Sequence, residues 1–112
     1  MEIRIEDREH VTIIAVAGSV DGSTAAALID SFRAQVAGGK IRLVGDFGEV
    51  DYTSSAGLRA LLETVKHTRQ QGGDLRLAAV RPDVLRVLEL SGFTHILKLF
   101  PDIEAAVASF PA

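Results

Sequence analysis

The 112-residue sequence contains no cysteine, no basic stripe and no long apolar run. Without cysteine, disulfide bonds, thiolate metal sites and cysteine nucleophiles are excluded. The net charge of −3, with Lys and Arg scattered along the chain, argues against a nucleic-acid partner. The longest apolar run, residues 11–17, has the length of a strand. A membrane-spanning helix needs about 18 apolar residues, so no membrane span is expected.

What the sequence does contain is typical of a globular protein. Hydrophobic residues make up 47% and charged residues 24%, a balance that argues against disorder. We expect residues 1–112 to form a single domain, because domains commonly have about this length. Residues 1–6 alternate apolar and charged side chains and carry acids where a signal peptide would be basic. The expected location is therefore the cytoplasm.

Five segments have the apolar pattern of β-strands, and four have the apolar spacing of helices. Strands and helices in alternation predict an α/β fold with a mixed, mostly parallel five-stranded sheet covered by about four helices. The first strand should run antiparallel to the second, through a tight turn at residues 7–9. The predicted strands are residues 1–6, 10–17, 40–46, 75–80 and 96–100. The predicted helices begin at Ser23 or Thr24, near Ser55, at Pro82 and after Pro101-Asp102.

Two loops at the carboxyl ends of predicted strands are candidate binding sites. They are residues 18–22 and residues 46–57. In open α/β sheets, ligands and partners meet the loops beyond the carboxyl ends of the parallel strands. The second loop is predicted to be the longest irregular connection, and compact domains usually keep such connections for a function.

Ser54 and Ser55 lie where the second helix should begin, and two interpretations are open. In one, a serine hydroxyl only caps the helix. In the other, free backbone N–H groups and Arg59 favour phosphate on a hydroxyl. The first turn carries no acid and includes Gly57, which costs about 1 kcal/mol relative to alanine, so it is poorly built for stability alone. Arg59 could instead pair with Glu63, one turn further along the helix.

The segment containing these serines carries a resemblance to a known family. Residues 50–62, VDYTSSAGLRALL, resemble the signature of STAS domains, specifically of bacterial anti-sigma factor antagonists. Residues 17–21, 72–77 and 84–93 resemble further family segments, in the family's order. The resemblance extends over essentially the whole chain and implies a STAS-like fold.

The resemblance also implies a function: a regulator that binds a partner and is not an enzyme, with no cofactor or metal. In that family the serine two residues before the signature glycine, Ser55 here, is phosphorylated by a partner that is both anti-sigma factor and serine kinase. The unphosphorylated form binds this partner and releases the sigma factor, phosphate breaks the binding, and a serine phosphatase resets the switch. The implied partner-binding residues are Asp21, Asp51, Thr53, Ser54, Ala56, Gly57 and Arg59.

The chain departs from the family at one informative position. Many members have aspartate just before the phosphorylated serine, and this chain has Ser54 there. Ser54 is therefore a second candidate for phosphorylation. Asp51, three residues upstream, could supply the missing carboxylate.

Two other functions remain open at the level of sequence. The chain could be a fixed STAS subunit of a lipid-transport or stress-signalling assembly, in which Ser54 and Ser55 only cap a helix. It could also be a phosphate-receiving module with Asp46, at a predicted strand end, as the acceptor. A metal site is not expected, because the histidines are scattered without ligand spacing: His10, His67 and His95.

Overall fold

Five strands form one sheet in the computed structural model, which describes residues 1–111. Ala112, the last residue of the predicted domain, lies outside the described residues. The strands are β1 (Glu2–Arg8), β2 (Val11–Val20), β3 (Arg42–Thr53), β4 (Asp74–Ala78) and β5 (Lys98–Phe100). The helices are α1 (Ala25–Ala37), α2 (Ser55–Gln70), α3 (Pro82–Leu90) and α4 (Ile103–Ala108), with a 3₁₀ turn at Phe93–His95.

The sheet has the strand order β1-β2-β3-β4-β5, which is the order along the chain. β1 runs antiparallel to β2, and all other neighbours are parallel, as the sequence predicted. A parallel strand pair needs a crossover, and crossovers in one sheet share one hand. The helices α1, α2 and α3 therefore lie on the same face of the sheet. The predicted mixed α/β fold with four helices is confirmed.

Two apolar clusters hold the helices against the sheet. Alternate side chains of a strand point to opposite faces, so β2 contributes to both clusters. The larger one joins α1, α2 and α3 to the sheet through side chains such as Ile14 and Leu43. The smaller one packs α4 against the other face, through side chains such as Ile13 and Val44. No helix within residues 1–111 is both long enough and apolar enough to span a membrane.

The prediction that residues 46–57 form a long irregular connection is wrong, because β3 continues to Thr53 and α2 begins at Ser55. β3 inserts one extra residue opposite Ala15–Ala17 and another opposite Gly18–Ser19. Such bulges bend the strand and break the alternation of apolar and polar residues by which a strand is recognised. β2 likewise continues to Val20, past the break predicted at Gly18, which has φ +99°.

The remaining differences concern the ends of elements. β1 extends to Arg8, and the tight turn is Glu9–His10. β5 begins only at Lys98, because the 3₁₀ turn occupies part of the segment before it. Two predicted helix starts are confirmed: Pro82 occupies the first turn of α3, and the Asp102 carboxylate accepts a hydrogen bond from the Ala105 N–H at the start of α4.

Candidate functional site

The candidate site is formed where β2 and β3 end side by side. The backbone N–H of Ser54 donates to the carbonyl of Val20 at 2.8 Å, which ties the two strand ends together. The turn that follows β2 leads into α1, and Ser54 leads directly into α2. The two sequence-predicted loops are therefore neighbours at the carboxyl edge of the sheet.

Asp21 organises the turn before α1. Its carboxylate accepts hydrogen bonds from the N–H of Ser23 at 2.9 Å, the hydroxyl of Ser23 at 2.7 Å and the N–H of Thr24 at 3.2 Å. These bonds, the one from the Ser23 hydroxyl first, hold the pKa of Asp21 below the ordinary value for an aspartate. The Thr24 hydroxyl in turn donates to the carbonyl of Ser19 at 2.9 Å. Asp21 thus sits as a carboxylate at the start of α1.

The two serines before α2 have different environments. The hydroxyl of Ser54 is the N-cap and accepts a long hydrogen bond, 3.4 Å, from the N–H of Gly57. Ser55, the first residue of the helix, is exposed, and its hydroxyl makes no hydrogen bond within residues 1–111. The capping interpretation therefore fits Ser54, and the hydroxyl that is free to react is that of Ser55.

Gly57 has a packing role that the sequence did not reveal. A Cβ at this position would lie 2.8 Å from Cγ1 of Val20 and would overlap Oγ1 of Thr53. Both Thr53 and Gly57 are buried. Glycine therefore lets the first turn of α2 approach the end of β2 closely, which is a structural reason for its presence. Ala56 is half-buried and packs against the larger apolar cluster.

Arg59 does not pair with Glu63, so that alternative is wrong. Arg33 of α1 takes the Glu63 carboxylate instead, with Nε and Nη2 donating at 2.8 Å and 2.6 Å. Arg59 itself is exposed and forms no ion pair among the described residues. It lies one helical turn after Ser55, the spacing at which helical side chains are neighbours. The site therefore holds an uncommitted cation next to the free hydroxyl.

Asp51 lies on the last part of β3 and is exposed. Its carboxylate accepts a hydrogen bond from the hydroxyl of Ser19 at 3.0 Å. The neighbouring Tyr52 is 53% exposed, an unusual exposure for a large ring. The sequence analysis placed Ser19 in the first candidate loop but did not predict this hydrogen bond, because the bond depends on the pairing of β2 with β3.

The phosphate-receiving alternative is not supported by the position of Asp46. It lies within β3, half-buried, and accepts a hydrogen bond from the N–H of Gly48 at 3.0 Å. The expected acceptor at a strand end is therefore absent from this position. Residues 1–111 contain no group of three or more His, Asp or Glu side chains placed to hold a metal ion.

Comparisons with known proteins agree on one family. The STAS domain model matches residues 2–106. A candidate anti-sigma factor antagonist of Bordetella bronchiseptica, BtrV, is 38% identical over 110 residues, which cover 98% of this chain and 95% of that protein. The crystal structure of an anti-sigma factor antagonist from Mycobacterium paratuberculosis superposes with a TM-score of 0.88 at 29% identity, over 96% of this chain and 92% of that one.

A third similarity is in fold alone. The Bacillus anti-sigma factor antagonist SpoIIAA has been solved in unphosphorylated and phosphorylated forms. The two forms superpose on this chain with TM-scores of 0.76 and 0.75, at 14% and 16% identity. Each alignment covers 96% of this chain and, respectively, 94% and 97% of the SpoIIAA chain.

Proposed function

The chain belongs to the STAS domain family, and from this premise we propose that it is an anti-sigma factor antagonist switched by phosphate on Ser55. The role is supported by the names of its relatives, BtrV above all at 38% identity over almost the whole chain. The observation that carries the switch is the exposed, unbonded hydroxyl of Ser55 at the start of α2. The protein acts in the cytoplasm by binding, without catalysis or cofactor of its own.

The unphosphorylated form binds an anti-sigma factor that is also a serine kinase, and this binding releases the sigma factor. The docking surface is the carboxyl edge of β2 and β3. Its exposed or half-buried side chains can contact a partner directly, whereas Thr53 and Gly57 are buried and shape the surface from beneath. The side chains offered to the partner are Asp21, Asp51, Ser54, Ala56 and Arg59.

Ser55 is preferred over Ser54 as the modified residue for a geometric reason. The Ser54 hydroxyl is used to cap α2, so its modification would remove a hydrogen bond from the helix. The Ser55 hydroxyl has no such bond among the described residues, and Ser55 is exposed, so a kinase can reach it. Ser54 therefore fills the capping role that an aspartate at this position could also fill, and the switch is left to Ser55.

Phosphate on Ser55 would be stabilised by the start of α2 and would weaken binding of the partner. It adds about −1.5 to −2 charges at neutral pH, beside backbone N–H groups at the positive end of a helix that has no acid in its first turn. Arg59 provides a further positive charge one turn away. At a packed interface the same charge must be desolvated, which weakens association. A serine phosphatase restores the binding form by removing it.

The test is phosphoryl transfer followed by a binding assay. The chain is incubated with ATP and candidate anti-sigma factor kinases from the same genome, and intact mass is measured. We expect one phosphoryl group on the parent and on Ser54→Ala, the matched control, and none on Ser55→Ala. In pull-downs, Ser55→Ala should bind constitutively, and Ser55→Asp should bind at least tenfold more weakly, about 1.4 kcal/mol.

Two results would contradict the proposal. Transfer of a phosphoryl group to Ser55→Ala, with none to Ser54→Ala, would place the modified hydroxyl at Ser54. Failure of every candidate kinase to bind or modify the chain would favour a fixed STAS subunit over a switching one.

A further inference from the structure

Within residues 1–111, β1 has one edge without a partner strand. It pairs with β2 on its other side and lies at the end of the sheet. Arg8 and Val11 flank the two-residue turn Glu9–His10 and face each other, which makes them a hydrogen-bonded pair of the hairpin. Since bonded and non-bonded pairs alternate, the backbone groups of Ile3, Ile5 and Asp7 point outwards. We call these three residues, with the charged residues between them, the β1 edge.

We propose that the β1 edge docks a second copy of this chain. The two β1 strands would pair antiparallel about a two-fold axis at Ile5, which joins the two sheets into one continuous sheet. Unpaired N–H and C=O groups of an edge strand are a template for another strand. A two-fold interface must be complementary to itself, and the charge pattern of β1 meets this condition.

The charges select one register. Glu2, Arg4, Glu6 and Arg8 alternate in sign on one face of β1. With Ile5 opposite Ile5 of the second copy, Arg4 faces Glu6 and Glu2 faces Arg8, so every facing charge pair is of opposite sign. Opposite charges directly across two strands stabilise the pair. In this register the outward-pointing backbone groups of Ile3, Ile5 and Asp7 also meet each other.

The neighbouring registers are unfavourable. Sliding one strand by two residues, which keeps the outward backbone groups paired, places either Arg4 opposite Arg4 or Glu6 opposite Glu6. It also brings Glu2 opposite Glu6 in the first case, or Arg4 opposite Arg8 in the second. Like charges directly opposite each other are destabilising. Charges on an edge strand normally repel a second copy, whereas here they repel it in the two neighbouring registers and attract it in the register centred on Ile5.

Side chains at the proposed axis support the same arrangement. Ile5 is 43% exposed, one of few large apolar side chains left open on this protein, and at the axis it would pack against its own copy. Among residues 1–111, Arg4 forms one ion pair, with Glu49 at 3.7 Å, and both of these side chains are more than two-thirds exposed. It is therefore free to take a second carboxylate. Arg8 is already held by Glu6 and Glu104, which orients the charged face of the strand.

The interface would be small, so the dimer should be weak. Seven residues of β1 pair, and stable interfaces usually bury more than about 1,000 Å². The proposed contact lies on the outer edge of the sheet, whereas Ser55 begins a helix that packs against α1 and β4. Dimer formation and partner binding should therefore be separable by mutation.

The test is sedimentation equilibrium of the full chain at loading concentrations up to about 1 mM, as a weak interface requires. The parent should dimerise reversibly, and less at high salt. The single variants Arg4→Glu and Glu6→Arg place like charges opposite each other, so each should dimerise at least about tenfold more weakly. A mixture of these two variants restores opposite charges, and should form a heterodimer. The double variant carrying both changes should dimerise like the parent.

Controls and contrary results are defined by the same experiment. Arg86→Glu and Glu89→Arg make the same charge changes on exposed positions of α3 and should leave the parent's dimerisation unchanged. Amide exchange at Ile3, Ile5 and Asp7 should slow as concentration rises. A parent that stays monomeric throughout, or a mixture that forms no heterodimer although both variants are folded by circular dichroism, would overturn the proposal.

Discussion

The starts of α1 and α2 have similar positions in the fold but differ in the hydrogen bonds and charges at their first turns. Each follows a parallel strand, and the two strands end side by side. At α1, the Asp21 carboxylate takes three hydrogen bonds from Ser23 and from the N–H of Thr24. At α2, the Ser54 hydroxyl takes one long bond, and the first turn contains no acid.

The difference shows where a negative charge can still be added. α1 already has a carboxylate of the chain's own at its positive end, so a second anion there would meet repulsion. Among the described residues, the start of α2 has an unbonded Ser55 hydroxyl and an unpaired Arg59, and its first turn contains no acid. A phosphorylation switch needs a helix start that is stable without the phosphate and that can also accommodate the negative charge once the phosphate is attached. Of these two neighbouring helix starts, only that of α2 has this combination.

The largest expected effect concerns the close approach at α2. Gly57→Ala puts a Cβ 2.8 Å from Cγ1 of Val20 and against Thr53, and overpacking of this kind costs about 1–3 kcal/mol. Gly22→Ala, in the turn before α1, is the matched control, because a Cβ there has no atom within 4 Å. Urea unfolding should show a clear decrease in the free energy of unfolding for Gly57→Ala and little change in it for Gly22→Ala. Equal losses would mean that the two helix starts do not differ in packing.

The effect expected to be intermediate in size is that of an added carboxylate on stability, and it should have opposite sign at the two helix starts. Ser55→Asp adds a carboxylate to an acid-free first turn and should stabilise the fold by about 0.3–1 kcal/mol. Ser23→Asp adds one beside Asp21 and removes the hydroxyl that donates to it, so it should destabilise the fold. Thermal unfolding at low salt measures both. Destabilisation by Ser55→Asp would show that α2 does not accept an anion.

The smallest expected effect is the pH dependence due to Asp21. Hydrogen bonds hold its pKa in the folded state below that in the unfolded state. Its stabilising contribution is therefore complete above the unfolded pKa and is lost as the pH falls through the folded pKa. Asp21→Asn should be less stable than the parent at neutral pH, and this difference in the free energy of unfolding should become smaller in acid. A gap that stays constant with pH would show that the charge of Asp21 contributes nothing.

Much of the fold could be predicted from local sequence. Pro82 and Asp102 mark helix starts by local chemistry, and apolar periodicity located all four helices. The end of β3 was missed because its two bulges break the alternation, and their position depends on pairing with β2. The bulges depend on the pairing between β2 and β3, so they cannot be predicted from the sequence of β3 alone.

The site was predictable in position but not in detail. The pattern indicated the serine pair, yet only the fold distinguishes the Ser54 cap from the free Ser55 hydroxyl. Arg59 was open to pairing with Glu63 because the competitor, Arg33, lies 30 residues away in sequence from that glutamate. Gly57 looked like a poor helix residue until its contact with Val20 was visible. Each of these details depends on contacts between separate elements.

The most direct test of the switch is the affinity of the anti-sigma factor partner for this chain with and without phosphate on Ser55. Isothermal titration calorimetry with chain carrying phosphoserine at position 55, prepared in the Ser54→Ala background, isolates that one group. We predict that binding is at least tenfold weaker than for the unphosphorylated Ser54→Ala protein, a difference of about 1.4 kcal/mol. Equal affinity for the two forms would contradict the account.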